Sequence, residues 1–346
     1  MSTVHFIAFD VHCATTEMAV VTAKGRITKR GHYPTSIPDL VEAVESVRRP
    51  RNLAFEEGPL AGWLKRNLQR HVDELIVCEP RRNSLIAKDS DKDDPIDAEK
   101  LAQLYRGGFV KPVHHPESLG RAVFKEHVTF YHKSVRGRVR LANQVIAHCR
   151  QHGLIIQETH FAAEEKRDKL LLQLPPEDLL HFDIKALLHT YDAATMQEKA
   201  CGKELVRRAR RIEEIRRFTE LPGISWIRAA TFYAYLDTPW RFKSKSALWK
   251  YVGIGLDRKH SGQGRAQVQV TTSGNRQLKR TVIGAAITAI AMGNNPFYQQ
   301  YQNWTTEGGL SHQNARRNVA RSEAATMWGM WKNQTAYDPT RVGRAS

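Results

Sequence analysis

The sequence has no uninterrupted apolar run of about 18 residues, the length a membrane-spanning helix needs, so no membrane partner is expected. Its opening stretch, MSTVHFIAFDVHCATTEMAVV, lacks a basic lead-in, and Asp10 interrupts the apolar run, so no secretory leader is expected either. Cysteine is sparse: Cys13, Cys78, Cys149 and Cys201 include no Cys-x-x-Cys pair. That argues against a disulfide framework and against a closed structural zinc site. His148, Cys149 and His152 form the one metal-like spacing, and they lack a second ligand pair. No internal repeat and no long low-complexity linker is present, which excludes a solenoid or a tethered array. Acidic residues are also in short supply. The 346 residues carry 53 Lys+Arg against 36 Asp+Glu, a net charge of +17 with His neutral. A metabolic enzyme would sit closer to zero; such an excess on a folded chain points to a polyanionic partner, above all nucleic acid. Hydrophobic residues make up 41%, enough for sizeable cores, which excludes wholesale disorder. The length suits two or three domains, and a cytoplasmic, nucleoid-associated location is expected.

What is present is organised. Residues 4–9, 17–22 and 27–33 read as three strands, with a hairpin turn at Ala23-Lys24-Gly25-Arg26. A helix follows Ser36, with Pro38 in its first turn and Leu40, Val41, Val44 and Val47 at helical spacing. Then come a strand at 52–56, a helix near 60–70, a strand at 74–78 and a helix from about Pro95 to Tyr105. Tight turns make the first three strands antiparallel, and strands alternating with helices argue for parallel crossovers. The β-β-β-α-β-α-β-α order is that of a mixed five-stranded, ribonuclease-H-like sheet. Residues 116–217 change character: a long amphipathic helix stops near Gly153, Leu174-Pro175-Pro176 breaks the pattern, and a second helix spans about 183–218. We read this as a helical hairpin whose arginines, Arg207 to Arg217, form either a solvated face or a phosphate-contacting one. From 218 onward a mainly helical unit follows, with a Leu221-Pro222-Gly223-Ile224 turn and a basic terminal helix over about 314–336. The domain expectation is therefore 1–115, 116–217 and 218–346.

Asp10 ends the first strand and Glu56 the fourth, and strand ends are where α/β sheets bind ligands. Neighbouring carboxylates repel unless a cation resolves the conflict, and Mg2+ takes oxygen ligands while leaving positions open for phosphate. Glu57 is the alternative to Glu56, since alternation lets only one of them share a side with Asp10. Asp94 and Asp97 stand three apart at a helix start, hence on one face. They also suit plain capping of that helix. Together the four acids form a candidate metal cluster for phosphodiester displacement. A second cluster lies in QVTTSGNRQLKR. Thr271, Thr272 and Ser273 offer hydroxyls before a helix start, and Arg276, Lys279 and Arg280 supply cations for nucleic acid. The plain alternative is a Thr/Ser helix cap.

These blocks, in this order, resemble the DEDD-type insertion-sequence transposases related to the Piv site-specific DNA invertases, some of which are bridge-RNA-guided recombinases. The blocks are IAFDVH, LAFEEGP, KDDPIDAEKLAQLY, FTELPGISWIRAATFYAYL, RFKSKSALWKYVGIGL and TTSGNRQLKR. The resemblance implies a RuvC-like first domain, a coiled-coil segment and a C-terminal transposase domain with a nucleophilic hydroxyl. It implies that Asp10, Glu56, Asp94 and Asp97 bind Mg2+ and that strands are cleaved through a covalent hydroxyl–phosphate link, then exchanged. The implied partners are donor and target DNA, a structured guide RNA for the guided members, and further copies of the chain as a homodimer or homotetramer.

Two motifs depart from the family. Glu56-Glu57-Gly58 is one residue shorter than the usual second-acid motif, and the usual serine three residues before the glycine is Thr271 here, with Ser273 as the alternative. Rival readings are a RuvC-like junction nuclease that activates water, and a non-catalytic, transposase-derived nucleic-acid-binding protein.

Overall fold

Strand alternation builds the first part of the chain as expected. A computed structural model describes residues 4–80, 94–259 and 267–342. In it β1 (His5–Val11), β2 (Thr15–Thr22) and β3 (Ile27–Pro34) form an antiparallel meander. Gly25, at φ +83°, makes the β2–β3 turn that an L side chain would resist. Helix α1 (Ile37–Glu45) starts where Ser36 accepts from the Asp39 N–H and Pro38 fixes the first turn. Strand β4 (Arg51–Glu56), helix α2 (Ala61–Leu68), strand β5 (Glu74–Cys78) and helix α3 (Asp94–Arg106) follow. The five strands form one mixed sheet, ordered β3-β2-β1-β4-β5, in which β4 runs parallel to both β1 and β5.

The period of two sorts the side chains onto two faces. Ile7, Phe9, Leu53 and Phe55 join the buried residues of α1 and α2 on one side. Ala8, Ala19 and Ala54 lie on the other, where Ala98, Leu101, Ala102 and Tyr105 of α3 cover them. The alanines let α3 approach this face closely.

The chain divides into two compact units, Met1–Ala122 and Val123–Ser346. In the second, α4 (Leu119–Gln151), which begins just before the boundary, and α6 (Asp178–Ala209) form the hairpin, with short α5 (Arg167–Leu171) between them. Val145 and Cys149 of α4 pack with Ile184 and Leu188 of α6 at one end. Val128, Leu205 and Ala209 join the main core of the unit at the other. The second long helix differs from expectation at both ends: it begins at Asp178, and a break at Arg210–Ile212 separates it from α7 (Glu213–Phe218).

Helices α8 (Trp226–Leu236) and α9 (Lys245–Val252), the hairpin β6 (Leu256–Lys259) and β7 (Gln267–Val270), and helices α10 (Arg276–Met292), α11 (Pro296–Thr306) and α12 (His312–Asn333) complete the unit. Its core gathers Phe218, Phe232, Leu248, Val282, Val319 and Met327. No described helix is long and apolar enough to cross a membrane.

Candidate active site

Phe9 pairs with Phe55 across the parallel β1 and β4 strands, so the next residues on the two strands are Asp10 and Glu56. Phe9 and Phe55 face α1 and α2, whereas Ala8 and Ala54 face α3. Alternation returns Asp10 and Glu56 to the α3 side, with their strands about 5 Å apart. Asp10 is partly exposed, with His12 Nε2 3.1 Å from its Oδ2, and Glu56 is exposed.

The direction of α3 follows from its far end. Tyr105 donates to Glu74 Oε2 at the start of β5 (2.9 Å) and sits edge-on against Phe6 at the start of β1. Gln103 Nε2 donates to the Gly25 carbonyl in the β2–β3 turn (2.8 Å). The helix therefore runs opposite to β1 and β4, which carries its N-terminal end toward the strand ends that bear Asp10 and Glu56. Asp97 lies there, exposed, one position before buried Ala98 and one turn before Leu101. Asp94 begins α3 one turn before Ala98; its side chain lies outside the described residues.

Alternation turns Glu57 to the face opposite Glu56. The Glu57 N–H donates to the Cys78 carbonyl (2.8 Å), and its carboxylate lies 2.5 Å from His115 Nε2. Carboxylates at this edge suit a hard divalent cation in kind. Among the described residues, no group of three or more His, Cys, Asp or Glu side chains is close enough to hold a metal.

The second cluster is built on a glycine contact. Gly274 has φ +124°, and a Cβ there would stand 2.7 Å from Gly253 Cα and 2.8 Å from the Lys250 carbonyl oxygen. Only glycine lets this loop lie against the C-terminal end of α9. The Thr271 N–H donates to the Gly255 carbonyl (3.0 Å) and the Asn275 N–H to that of Tyr251 (2.7 Å). Thr271 is 3% exposed, whereas Ser273 is exposed. Their hydroxyl oxygens are 3.2 Å apart.

Asn275 caps α10, accepting from the Leu278 N–H (2.9 Å). The first turn of α10 holds no acid. Arg276 and Arg280 are exposed and Lys279 is half-buried. Cations at a helix N-terminus oppose the macrodipole, an arrangement that a bound anion relieves.

Sequence reasoning missed what holds this turn. Thr231 gives its hydroxyl proton to the Ile227 carbonyl (2.7 Å), so its oxygen accepts from His132 Nε2–H (2.9 Å). That tautomer leaves Nδ1 to accept from Gln277 Nε2 (3.2 Å). Burial and nearby Arg136 push the imidazole down to about 4, so it bridges α8 and α10 in its neutral form at neutral pH. Position 132 is 145 residues from position 277, and no local pattern announces the bond.

Residues 215–302 match the model of the family described as Transposase IS116/IS110/IS902 family. No curated protein matches the chain.

Proposed function

The match supports assigning the chain to the IS110-type transposases, and from that premise we propose that it is a DNA recombinase built on a RuvC-like sheet, with a carboxylate site and a serine nucleophile. Transposase or recombinase activity, with DNA as partner, is what the family carries in general. The finer reading rests chiefly on one observation: Asp10 and Glu56 share the sheet face that α3 covers, at the end toward which Asp97 runs. Asp10, Glu56, Asp94 and Asp97 would hold Mg2+. When bound, the ion would polarise the phosphodiester and offset charge on its oxygens. His12 steadies Asp10. Glu57, engaged with His115, is left out of the donor set.

For the attacking group we prefer Ser273 to Thr271. Ser273 is exposed at the loop before α10, and Thr271 is buried behind it. Ser273 Oγ loses its proton and forms an O–P bond; the P–O bond to the leaving sugar breaks, and that hydroxyl gains a proton. Arg276, Lys279 and Arg280 then neutralise phosphate at a helix N-terminus that lacks acids. The same reading takes the chain as a homodimer or homotetramer, since strand exchange needs at least two active sites, and takes a bridge RNA as a second nucleic-acid partner.

The test is covalent capture on a denaturing gel. Wild-type protein and Thr271→Ala should form a protein–DNA adduct, and Ser273→Ala should form none. An adduct that persists in Ser273→Ala and disappears in Thr271→Ala would move the nucleophile to Thr271. One that persists in the double variant would refute a hydroxyl from this loop and favour another site.

A further inference from the structure

Helix α12 buries Val319, Met327 and Trp331 on one face. Its other face, stepping by three and four residues from Asn314 to Asn333, forms the floor of a trough. That floor is made of amides, hydroxyls, arginine and small residues: Asn318, Arg321, Ser322, Thr326 and Gly329. Helix α9 contributes Lys245 and Trp249 to the walls, and α11 contributes Gln300 and Trp304. The main cavity is about 610 Å³, and a smaller one of about 230 Å³ continues it toward the β6–β7 hairpin, sharing Asn318 and Arg321.

Three features of this trough bear on what it could hold. Gly329 sits in mid-helix with φ in the ordinary range, and a Cβ added there would meet nothing within 4 Å. Glycine disfavours a helix and packing does not require it here, yet it keeps the floor deep. Gln300 Oε1 is buried and has no hydrogen-bond partner among the described residues. Trp249 and Trp304 are only partly covered. The Trp249 indole is fixed by donating to the Arg321 carbonyl (3.0 Å). The acid at the rim, Asp338, is held by Arg341 (3.2 Å). The lining is therefore cationic and aromatic, with an unused acceptor.

We propose that this trough binds a single-stranded segment of nucleic acid, whose bases stack on Trp249 and Trp304 and present an N–H donor to Gln300. Stacking on aromatic rings beside cations is how single strands are held without regard to sequence. The recessed floor argues against a duplex, because a helix that reads a duplex groove must project into it. A strand separated from its duplex and a loop of a folded RNA offer the same chemistry. The proposal rests on the recombinase reading for its partner class, and it uses none of the residues assigned there to cleavage.

The test uses the full chain and fluorescence anisotropy with short labelled oligonucleotides: single-stranded DNA, single-stranded RNA and a DNA duplex. Gly329→Leu fills the floor with a better helix former, so its melting temperature should not fall. Its affinity for single strands should drop by about tenfold or more, with duplex affinity unchanged. Trp304→Ala should lower single-strand affinity in the same way, with duplex affinity unchanged, though its lost packing lowers the melting temperature. Loss confined to RNA would identify a folded RNA as the source, loss confined to DNA a displaced strand, and loss of both a general strand site; each supports the trough. Single-strand affinity unchanged in a folded Gly329→Leu protein would overturn it. A combined Arg276→Ala, Arg280→Ala variant separates the two readings. Weakened duplex binding there, beside a silent Gly329→Leu, would sink the trough and leave the recombinase reading standing.

Discussion

Glu323 gives the sharpest physical test of the second unit. It lies on the inward face of α12 and is fully buried, and neither carboxylate oxygen has a hydrogen-bond partner among the described residues. Arg228 gives it some electrostatic help but is already donating to the Gly223 carbonyl (2.6 Å) and to Thr288 (3.0 Å). The Tyr337 hydroxyl, whose own pKa feels Glu323, is likewise buried without a partner among the described residues. Burial pushes the Glu323 carboxyl well above the usual range, with Arg228 only partly opposing it. The folded chain therefore keeps a proton that the unfolded chain gives up. Its stability contribution is fully present below the unfolded glutamate pKa, about 4.3, and is lost as pH rises through the folded value. Between those limits the loss approaches about 1.4 kcal/mol per pH unit.

Glu323→Gln keeps the shape and removes the proton equilibrium. Whatever constant offset the amide brings, its advantage over wild type should grow with pH. For a unit of this size that growth is about 3–5 °C in melting temperature per pH unit. Paired melts of the two proteins from about pH 5 to 8 measure it directly, because other titrating groups cancel in the difference. Parallel curves would mean that Glu323 is ionised and satisfied in the folded chain, contrary to its burial without a partner among the described residues.

Two further outcomes follow from packing. Gly274→Ala meets the backbone of Gly253 and Lys250 at 2.7–2.8 Å with φ +124°, so it should cost about 2–4 kcal/mol and lower adduct formation by shifting Ser273. A wild-type melting temperature and wild-type adduct yield would show that the loop does not depend on this contact. Leu53→Ala empties a fully buried position in β4 between the sheet and its helices; urea unfolding should show a loss of about 2–5 kcal/mol, and a loss under about 1 kcal/mol would contradict the packing described.

The first unit was legible because each level of its sequence agrees. Gly25 turns the hairpin, Ser36 and Pro38 start α1, and the apolar alternation of β1 and β4 matches the two faces they bury. Tight turns indicated the antiparallel meander, and the ribonuclease-H-like order of elements put the strands of Asp10 and Glu56 side by side. The separation of Glu56 from Glu57 was only half legible. Alternation says that one of them faces α3, and the structure adds that Glu57 is engaged with His115, 58 positions away.

The second unit was harder to read. The β6–β7 hairpin is two four-residue strands, too short for a period to declare itself. Helix α11 opens with Asn295-Pro296, a usable start signal, but its polar run through Gln299 and Gln300 hides the amphipathic face. The difference in exposure between Thr271 and Ser273 depends on the contact of Gly274 with α9, which no local pattern contains.

We propose above that the carboxylates at the β1–β4 edge carry DNA strand cleavage. The most direct test is cleavage of a plasmid bearing the DNA that flanks the gene, by wild type and by Asp10→Asn, with divalent cation supplied. Asp10→Asn should melt as wild type does and lose at least about a hundredfold in cleavage rate, as expected when one group acting on the reacting phosphate is removed. Cleavage by a folded Asp10→Asn protein at the wild-type rate would place strand cleavage away from this edge.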